Sequence, residues 1–228
     1  MAATAIVLGA SGGIGAALLE QLRTSGEYSE VIGFSRHSTP ALDMQDPSSI
    51  ESVAAHAIAS GELRLIINAT GFLHAAGSGP ERSWRDLNPD YLAQAFAVNA
   101  IGPALLMKHL LPHLPRTGRA VFATLSARVG SIGDNRLGGW YGYRASKAAL
   151  NQFVRTASIE LRRRSPDAIC VALHPGTVAT ALSAPFIREG LELQTPATAA
   201  QRLLQVIAQL TPADSGGFFD HRGTAVPW

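Results

Sequence analysis

Residues 3–15 read ATAIVLGASGGIG, and this stretch decides the fold. Its first six residues are largely apolar, which predicts a buried strand. Three glycines follow with the spacing Gly9-x-x-x-Gly13-x-Gly15, and a helical pattern begins there. Gly9 permits a tight turn, Gly13 lets the backbone approach a ligand, and Gly15 lets the helix pack against the strand. Because the N-terminus of a helix attracts anions, this turn predicts a site for a dinucleotide pyrophosphate.

The rest of the chain alternates short apolar runs with helical patterns, which is typical of a parallel α/β fold. Further strands are predicted at 31–35, 40–43, 63–68, 119–125, 168–173 and 217–219. Helices are predicted at 13–25, 47–60, 89–114, 143–164 and 196–210. Three of them begin with proline after a plausible N-cap, namely Asp46, Asn88 or Thr195. We therefore predict one doubly wound Rossmann-type domain over 1–228, with a seven-stranded parallel sheet and helices on both faces.

Composition narrows the class of protein. Hydrophobic residues make up 46% of the chain and charged residues 16%, as in ordinary globular proteins. A formal charge of +2 is too small to predict nucleic-acid binding. The single cysteine, Cys170, excludes an internal disulfide and is expected to be a buried hydrophobe. No metal site is expected, since His109 and His113 share a helix face without a third ligand. With no secretory signal and no membrane-spanning run in the pattern, we expect a cytoplasmic protein.

The end of the second predicted strand bears on the choice of coenzyme. An acidic residue there would bind the ribose 2′-hydroxyl of NAD, whereas a cation favours the 2′-phosphate of NADP. This chain has no carboxylate at that point and instead offers the hydroxyl of Ser35 and the guanidinium of Arg36. We therefore expect a preference for NADP(H), with NAD(H) possible. A solvated surface cation is the alternative interpretation of Arg36.

A second group of residues suits proton transfer. Tyr143 and Lys147 are four residues apart at the start of a predicted helix, so both side chains can share one face. A nearby ammonium is expected to lower the pKa of the phenol and make it an acid/base at neutral pH. Ser126 ends a predicted strand, where the sites of open α/β sheets gather. Ser131 is a rival for its role, and Tyr141 is a rival for Tyr143, although Tyr141 has alanine and not lysine four residues on.

Taken jointly, these residues resemble the short-chain dehydrogenase/reductase family over essentially the whole chain. The shared features are the glycine turn, Asp43, Asn68-Ala69-Thr70-Gly71, Asn99, Ser126, Tyr143-x-x-x-Lys147 and Pro175-Gly176-Thr177-Val178-Ala179-Thr180. Residues 126–132 and 226–228 look like the branch of C-factor and sniffer-type carbonyl reductases. One departure is Gly12, which stands where NADP-preferring relatives often carry a basic residue, so Arg36 is left to select the phosphate largely alone.

The resemblance implies a role for each matching position. Tyr143 would be the general acid/base, Ser126 would orient the carbonyl, Lys147 would hold the nicotinamide ribose, and Asn99 would kink a helix and help order a water. Asp43 would meet the adenine, and residues 175–180 would cover the nicotinamide. The full coenzyme-binding set implied is Gly9, Ser11, Gly13, Ile14, Gly15, Ser35, Arg36, Asp43, Met44, Asn68, Ala69, Gly71, Tyr143, Lys147, Pro175, Gly176, Val178 and Thr180.

The expected function is transfer of hydride between a nicotinamide coenzyme and a small carbonyl or alcohol. A substrate loop is expected around residues 181–195, and the family implies a homodimer or homotetramer. The alternative is a dinucleotide-binding signalling or sensor protein of C-factor type with little turnover; the Ser–Tyr–Lys set argues against it. A sugar-nucleotide epimerase or dehydratase fits poorly, because the chain is short for the extra substrate domain that such enzymes carry.

Overall fold

The computed structural model describes residues 3–75, 79–186, 190 and 192–228. Its strands are β1 (Ala3–Leu8), β2 (Glu30–Phe34), β3 (Glu62–Asn68), β4 (Ala120–Leu125), β5 (Ala168–His174), β6 (Thr177–Val178), β7 (Leu193–Gln194) and β8 (Phe218–Asp220). Its helices are α1 (Gly13–Ser25), α2 (Pro47–Ala59), α3 (Pro89–Phe96), α4 (Gly102–Leu110), α5 (Tyr141–Arg164) and α6 (Pro196–Gln209). A π-helical segment, Ala97–Ile101, joins α3 to α4.

Six strands form the main sheet in the order β2-β1-β3-β4-β5-β8, and every neighbouring pair is parallel. The strand order reverses beside β1, and the carboxyl ends of strands at such a point form the crevice where ligands bind. A separate two-stranded sheet pairs β6 with β7. The predicted Rossmann-type parallel fold is thus confirmed at the level of its architecture.

Two apolar layers cover the sheet. On one face, α2, α4 and α5 pack on a core that includes Phe34 and Phe122. On the other face, α1 and α6 contribute Leu18 and Leu203 to a second core. All residues of β4 are buried, as expected for a central parallel strand covered on both faces. The sheet therefore holds its carboxyl edge rigidly between the two helix layers.

One of the seven predicted strands, the one at 40–43, is wrong. Its backbone groups bond to side chains and to a loop rather than to a neighbouring strand. The hydroxyl of Ser49 donates to the Ala41 carbonyl at 2.7 Å and accepts from the Asp43 amide at 2.7 Å, while the Leu42 amide donates to the Ser35 carbonyl at 2.8 Å. Because local hydroxyls satisfy these groups, the segment is a loop and the described main sheet has six strands.

The predicted helix caps are confirmed. Asp46 accepts from the Ser48 amide, Asn88 from the Tyr91 amide and Thr195 from the Thr198 amide, each at the start of its helix. The helix predicted from residue 143 begins two residues earlier, at Tyr141. The predicted substrate loop at 181–195 is described only in part, since residues 187–189 and 191 lie outside the described residues.

The helical stretch Pro89–His113 has the length and composition of a membrane span, with 25 residues and a mean hydropathy of 1.2. Half of its most apolar window is buried inside the fold. Leu106 and Leu110, for example, are fully buried in the core beneath the sheet. We therefore interpret the stretch as a core helix, which explains its apolar composition.

Candidate functional site

The glycine turn has the predicted geometry. Gly9 has φ +88°, and the amides of Gly9 and Ala10 both donate to the Phe34 carbonyl, at 2.8 and 2.9 Å. A Cβ on Gly9 would lie only 2.9 Å from the carbonyl carbon of Ala69, just after β3. Only glycine therefore lets the turn lie this close to that backbone. Gly12 then caps α1, and the first amides of this helix are free to meet an anion.

A groove of about 490 Å³ runs along the carboxyl edge of the sheet beside this turn. Eight of the predicted coenzyme residues line it, namely Gly9, Ser11, Ser35, Arg36, Asp43, Met44, Ala69 and Gly71. The lining also includes residues outside the predicted coenzyme set: His74, Gln94 and Val98 are examples, beside Thr70 of the Asn68–Gly71 motif and Leu182 of the predicted substrate loop. No sequence motif marks His74, Gln94 or Val98, because these residues come together only through the packing of α3 and the loop after β3.

Other predicted coenzyme residues do not line the groove but pack beneath it. A Cβ on Gly15 would overlap the carbonyl oxygen of Gly9, so this glycine allows the close packing of turn and helix. Ile14 packs against the core under α1. Asn68 is 1% exposed and organises the next turn, since its Oδ1 accepts from the amide and the hydroxyl of Thr70 at 3.2 and 2.7 Å. Direct coenzyme contacts from these three positions stay predictions.

The segment 175–180 is fastened next to the glycine turn. The side chain of Gln194 donates to the Pro175 carbonyl at 3.1 Å, and Val178 pairs with Gln194 in the two-stranded sheet. Gly176 has φ +79°. A Cβ on Gly13 would approach Cγ2 of Thr180 to 2.8 Å, so Thr180 packs directly on the glycine turn. The segment therefore lies where a cover over the coenzyme would be needed.

The side chain of Arg36 is exposed at the mouth of the groove, just after β2. Ser35 and Asp43 also line the groove mouth. The Ser35 hydroxyl accepts from the His37 amide at 3.1 Å, and the Asp43 carboxylate accepts from the Gln45 amide at 2.9 Å. The described residues place no carboxylate in a salt bridge with Arg36. The guanidinium can therefore receive an anionic group from solvent without breaking an ion pair.

Tyr143 and Lys147 share one face of α5, as predicted. Nζ of Lys147 lies 5.8 Å from the centroid of the Tyr143 ring and donates to the Leu125 carbonyl at 2.9 Å. Because Gly71 has no side chain, a small space is open beside it. A Cβ placed there would lie 3.9 Å from Lys147 Nζ and 3.8 Å from Asn99 Oδ1. The lysine, the asparagine and the groove-lining glycine thus converge at one point.

The expected lowering of the Tyr143 pKa by Lys147 is not found. Burial raises the pKa of Tyr143 to about 12, and burial lowers the pKa of Lys147 to about 8. Both shifts have one cause, which is that a buried site disfavours the charged form of either group. Nζ of Lys147 donates to the Leu125 carbonyl and lies 5.8 Å from the centroid of the Tyr143 ring, and the two side chains share no described hydrogen bond.

Asn99 lies in the π-helical segment between α3 and α4, which agrees with its implied place at a helix kink. It is fully buried, and its amide bonds to both backbone groups of Phe72 at 2.8 Å. Its Nδ2 also donates to the hydroxyl of Ser146 at 3.1 Å, and that hydroxyl donates to the Tyr143 carbonyl at 2.9 Å. Asn99 therefore joins the loop after β3 to the first turn of α5.

Neither candidate serine forms a described hydrogen bond with Tyr143. Ser126 is 3% exposed and donates to Oδ1 of Asn151 at 2.6 Å. Ser131 is 2% exposed and accepts from the Asp134 amide at 3.1 Å. Tyr141, the rival for the acid/base, is 36% exposed at the first position of α5. Both serine assignments stay predictions, and within the described residues no cluster of three metal-ligating side chains occurs.

Comparison with known proteins agrees with this geometry. Residues 10–210 match the family described as enoyl-(acyl carrier protein) reductase. The chain is 37% identical to the C-signal protein of Myxococcus xanthus over 75% of this chain and 96% of that protein. It is 32% identical to 1-hydroxy-2-glutathionyl-2-methyl-3-butene dehydrogenase of a Rhodococcus species, over 99% of each.

Solved structures give the same result. The NADPH-bound carbonyl reductase from chicken fatty liver superposes with a TM-score of 0.85 at 27% identity, over 99% of this chain and 98% of that one. The carbonyl reductase Sniffer of Drosophila melanogaster has the same fold, with a TM-score of 0.84 at 23% identity over the whole of both chains. With the glycine turn, the Tyr-x-x-x-Lys pair and these relatives in agreement, this chain belongs to the short-chain dehydrogenase/reductase family, and the C-signal relative supports its place in the C-factor branch.

Proposed function

We propose that this protein is an NADPH-dependent reductase of small carbonyl compounds, with Tyr143 as the general acid. The observation that carries the proposal is the convergence of Lys147 and Asn99 on the space beside Gly71, with the ring of Tyr143 against Lys147. This convergence lies on the wall of a groove that begins at an anion-binding glycine turn. Such a juxtaposition suits a reaction in which a carbonyl meets a dinucleotide and a proton donor at one point.

The groove fits NADPH in its chemistry. The turn at Gly9 and the free amides of α1 suit the pyrophosphate, while Arg36 and Ser35 offer a cation and a hydroxyl to the 2′-phosphate. The similarity to an NADPH-bound carbonyl reductase supports the same choice, and NAD(H) remains the second possibility. When bound, the reduced nicotinamide would supply the hydride that reaches the carbonyl carbon.

The protein's own groups would hold the substrate and supply the proton. With its pKa raised to about 12, Tyr143 keeps its proton at neutral pH and can give it to the carbonyl oxygen as that oxygen gains charge. An alkoxide is a much stronger base than a phenolate, so the transfer runs toward the alcohol. Lys147 uses one of its three donors on Leu125 and retains two for a ribose hydroxyl. These properties suit Tyr143 as the proton donor and Lys147 as a coenzyme ligand when a carbonyl is reduced.

The experiment is to follow NADPH consumption with a panel of aldehydes, ketones and quinones. Tyr143→Phe removes only the hydroxyl, and we expect its kcat to fall by about 10²–10⁴-fold. Tyr141→Phe is the matched control, since Tyr141 is exposed at the start of the same helix. Equal turnover by Tyr143→Phe and the unmodified protein would refute the assigned role. Tight NADPH binding without turnover of any substrate would instead favour the signalling or sensor protein.

A homodimer or homotetramer remains part of the proposal. A surface groove of about 450 Å³ between α4 and α5 is lined by apolar side chains such as Met107, Leu111 and Phe153. Phe153 is 40% exposed, and Ile159 on the same helix is 47% exposed. These exposed apolar side chains on α5 support association between copies, and sedimentation velocity would measure it. The cytoplasmic location likewise remains a prediction.

A further inference from the structure

Residues 138–140 form a left-handed turn directly before α5. Gly138 and Gly139 both have φ +64°, and Trp140 continues the turn with φ +54°. Among the described residues other than glycine, only Trp140 has a positive φ. A bulky side chain is sterically unfavourable in this region and persists only where its surroundings impose the conformation. The contacts of this turn with its neighbours must therefore stabilise its conformation.

Glu81 fastens one side of the turn. It is 3% exposed, which is unusual for a carboxylate, and its carbonyl accepts from the Trp140 amide at 2.5 Å. Its two carboxylate oxygens accept from the Gly142 amide at 3.1 and 3.0 Å. A negative charge at this position also suits the N-terminus of α5. Glu81 thus fixes both the turn and the first residues of the helix that carries Tyr143.

Arg144 fastens the other side. Its guanidinium donates to the carbonyls of Gly139 at 2.9 Å, Gly138 at 3.1 Å and Val129 at 3.1 Å. Because one planar guanidinium binds two carbonyls of the turn and one outside it, the turn has little freedom to change its backbone conformation. Arg144 follows Tyr143 directly in the chain, so the residue that locks the turn is bonded to the proposed acid.

The locked turn directs the indole of Trp140 toward the proposed active site. Its ring lies 6.0 Å from the ring of Tyr143 at 74° and 5.1 Å from the ring of Phe186 at 66°. His74 lies 5.6 Å from Phe186 on the other side and lines the coenzyme groove. All four rings are half-buried, so each retains an accessible part. Trp140, Phe186 and His74 together form an aromatic wall from the groove to Tyr143.

We propose that this aromatic wall, Trp140, Phe186 and His74, makes the protein selective for flat aromatic carbonyl compounds, with Trp140 as the specificity-determining residue. Aromatic rings attract one another at edge or offset geometry over the centroid separations seen here. Glu81 and Arg144 are positioning residues that act through Trp140. The proposal rests on the proposed reductase function, which it deepens by naming the substrate class.

The kinetic test compares benzaldehyde with cyclohexanecarbaldehyde, which has a puckered ring of similar size. The quantity measured is the ratio of the two kcat/KM values, because comparing this ratio among variants cancels the intrinsic reactivity of each aldehyde. We expect Trp140→Leu to lower the ratio by about fivefold and Trp140→Phe to preserve most of it. Trp84→Leu is the control, since Trp84 is 68% exposed. An unchanged ratio in Trp140→Leu would overturn the proposal.

A binding test separates this proposal from the reductase function. Calorimetry with the NADPH-loaded protein compares benzamide with cyclohexanecarboxamide, neither of which needs to react. Preference for benzamide that disappears in Trp140→Leu supports the aromatic wall even if no aldehyde is reduced, in which case the reductase function alone fails. If the unmodified protein binds the two amides equally, the proposed aromatic selectivity is wrong, whatever turnover is measured.

The positioning role is tested at Glu81. Glu81→Ala leaves the Gly142 amide without its acceptor, and we expect the aldehyde ratio to fall as it does in Trp140→Leu. Glu81→Gln keeps one acceptor oxygen and should restore the ratio, a result that general destabilisation does not predict. If Glu81→Ala does not fold, Arg144→Ala gives the same test, because it releases the carbonyls of Gly138 and Gly139. A normal ratio in the folded variants would contradict the role.

Discussion

Ser126 donates its hydroxyl hydrogen to Oδ1 of Asn151 over 2.6 Å, and Asn151 lies one helical turn beyond Lys147 on α5. Both residues are at most 3% exposed, so the bond is shielded from water. Nδ2 of Asn151 has no partner among the described residues. Ser126, which the family resemblance implies would orient a substrate carbonyl, thus also tethers the end of β4 to α5.

Ser126→Ala is therefore expected to have two effects. Loss of the buried donor leaves Asn151 Oδ1 unpaired, which should lower the free energy of unfolding by about 1–3 kcal/mol in a urea titration. If the hydroxyl also orients the carbonyl, as the family resemblance implies, kcat should fall by about 10²–10³-fold.

Ser131→Ala is the matched control for that experiment, since its hydroxyl accepts only from the Asp134 amide among the described groups. We expect this variant to keep its kcat. A folded Ser126→Ala protein with normal kcat would restrict Ser126 to the structural role, and a large loss of kcat in Ser131→Ala would move the carbonyl-orienting role to Ser131.

Arg36→Ala should change the preference between coenzymes. The exposed guanidinium at the groove mouth is the proposed partner of the 2′-phosphate, and a charge-assisted hydrogen bond contributes about 1.5–3 kcal/mol. We expect kcat/KM for NADPH to fall by roughly 10- to 100-fold with little change for NADH. Arg116→Ala, an exposed arginine outside the groove, is the control. A parallel loss for both coenzymes would contradict phosphate selection by Arg36.

Lys147 should make stability depend on pH. Burial lowers the pKa of Lys147 to about 8, whereas an unperturbed lysine has a value of 10.5. Between these values the unfolded chain binds a proton that the folded chain does not, so the lysine's contribution to stability rises with pH. Lys147→Met removes the buried charge, and its stability relative to the unmodified protein should decline from pH 7 to pH 10, by on the order of 2–4 kcal/mol.

Urea titrations across this range measure the effect, with Lys108→Met as control. Lys108 is exposed and is the other lysine of the chain, so its replacement removes a lysine without removing a buried charge. Burial also raises the pKa of Cys170 and of Tyr143 to about 12, which lowers stability at high pH, but this loss is common to the variant and the unmodified protein and cancels in their difference. A pH-independent difference for Lys147→Met would show that the lysine is not desolvated.

Gly15→Ala should unfold or strongly destabilise the protein. The added methyl group would overlap the carbonyl oxygen of Gly9, and both atoms belong to a backbone that cannot move aside cheaply. We expect a loss of more than about 3 kcal/mol in the free energy of unfolding, measured by thermal or urea denaturation. Gly12→Ala, in the same turn, would place its methyl group at an ordinary 3.4 Å and should be tolerated. Equal stability of the two variants would contradict this close packing.

Local sequence patterns predicted the architecture well because each depends on near neighbours. The strand–turn–helix at residues 3–15 needs the left-handed φ of Gly9, and glycine adopts it readily. The caps at Asp46, Asn88 and Thr195 bond to amides within three residues. The strand predicted at 40–43 failed because hydroxyls of Ser38 and Ser49 capture its carbonyls, a competition that an apolar pattern does not reveal.

By itself, the sequence determined the parallel α/β fold, the glycine turn and the tyrosine and lysine on one helix face, because these follow from backbone preference and periodicity. The tertiary structure alone decided which long-range partners meet: Glu81 with Gly142, Ser126 with Asn151, and Trp140 with Phe186. It also decided the pKa direction of Tyr143, since desolvation depends on everything packed around the ring. Such contacts join residues far apart in the chain, and only the folded sheet edge brings them within reach.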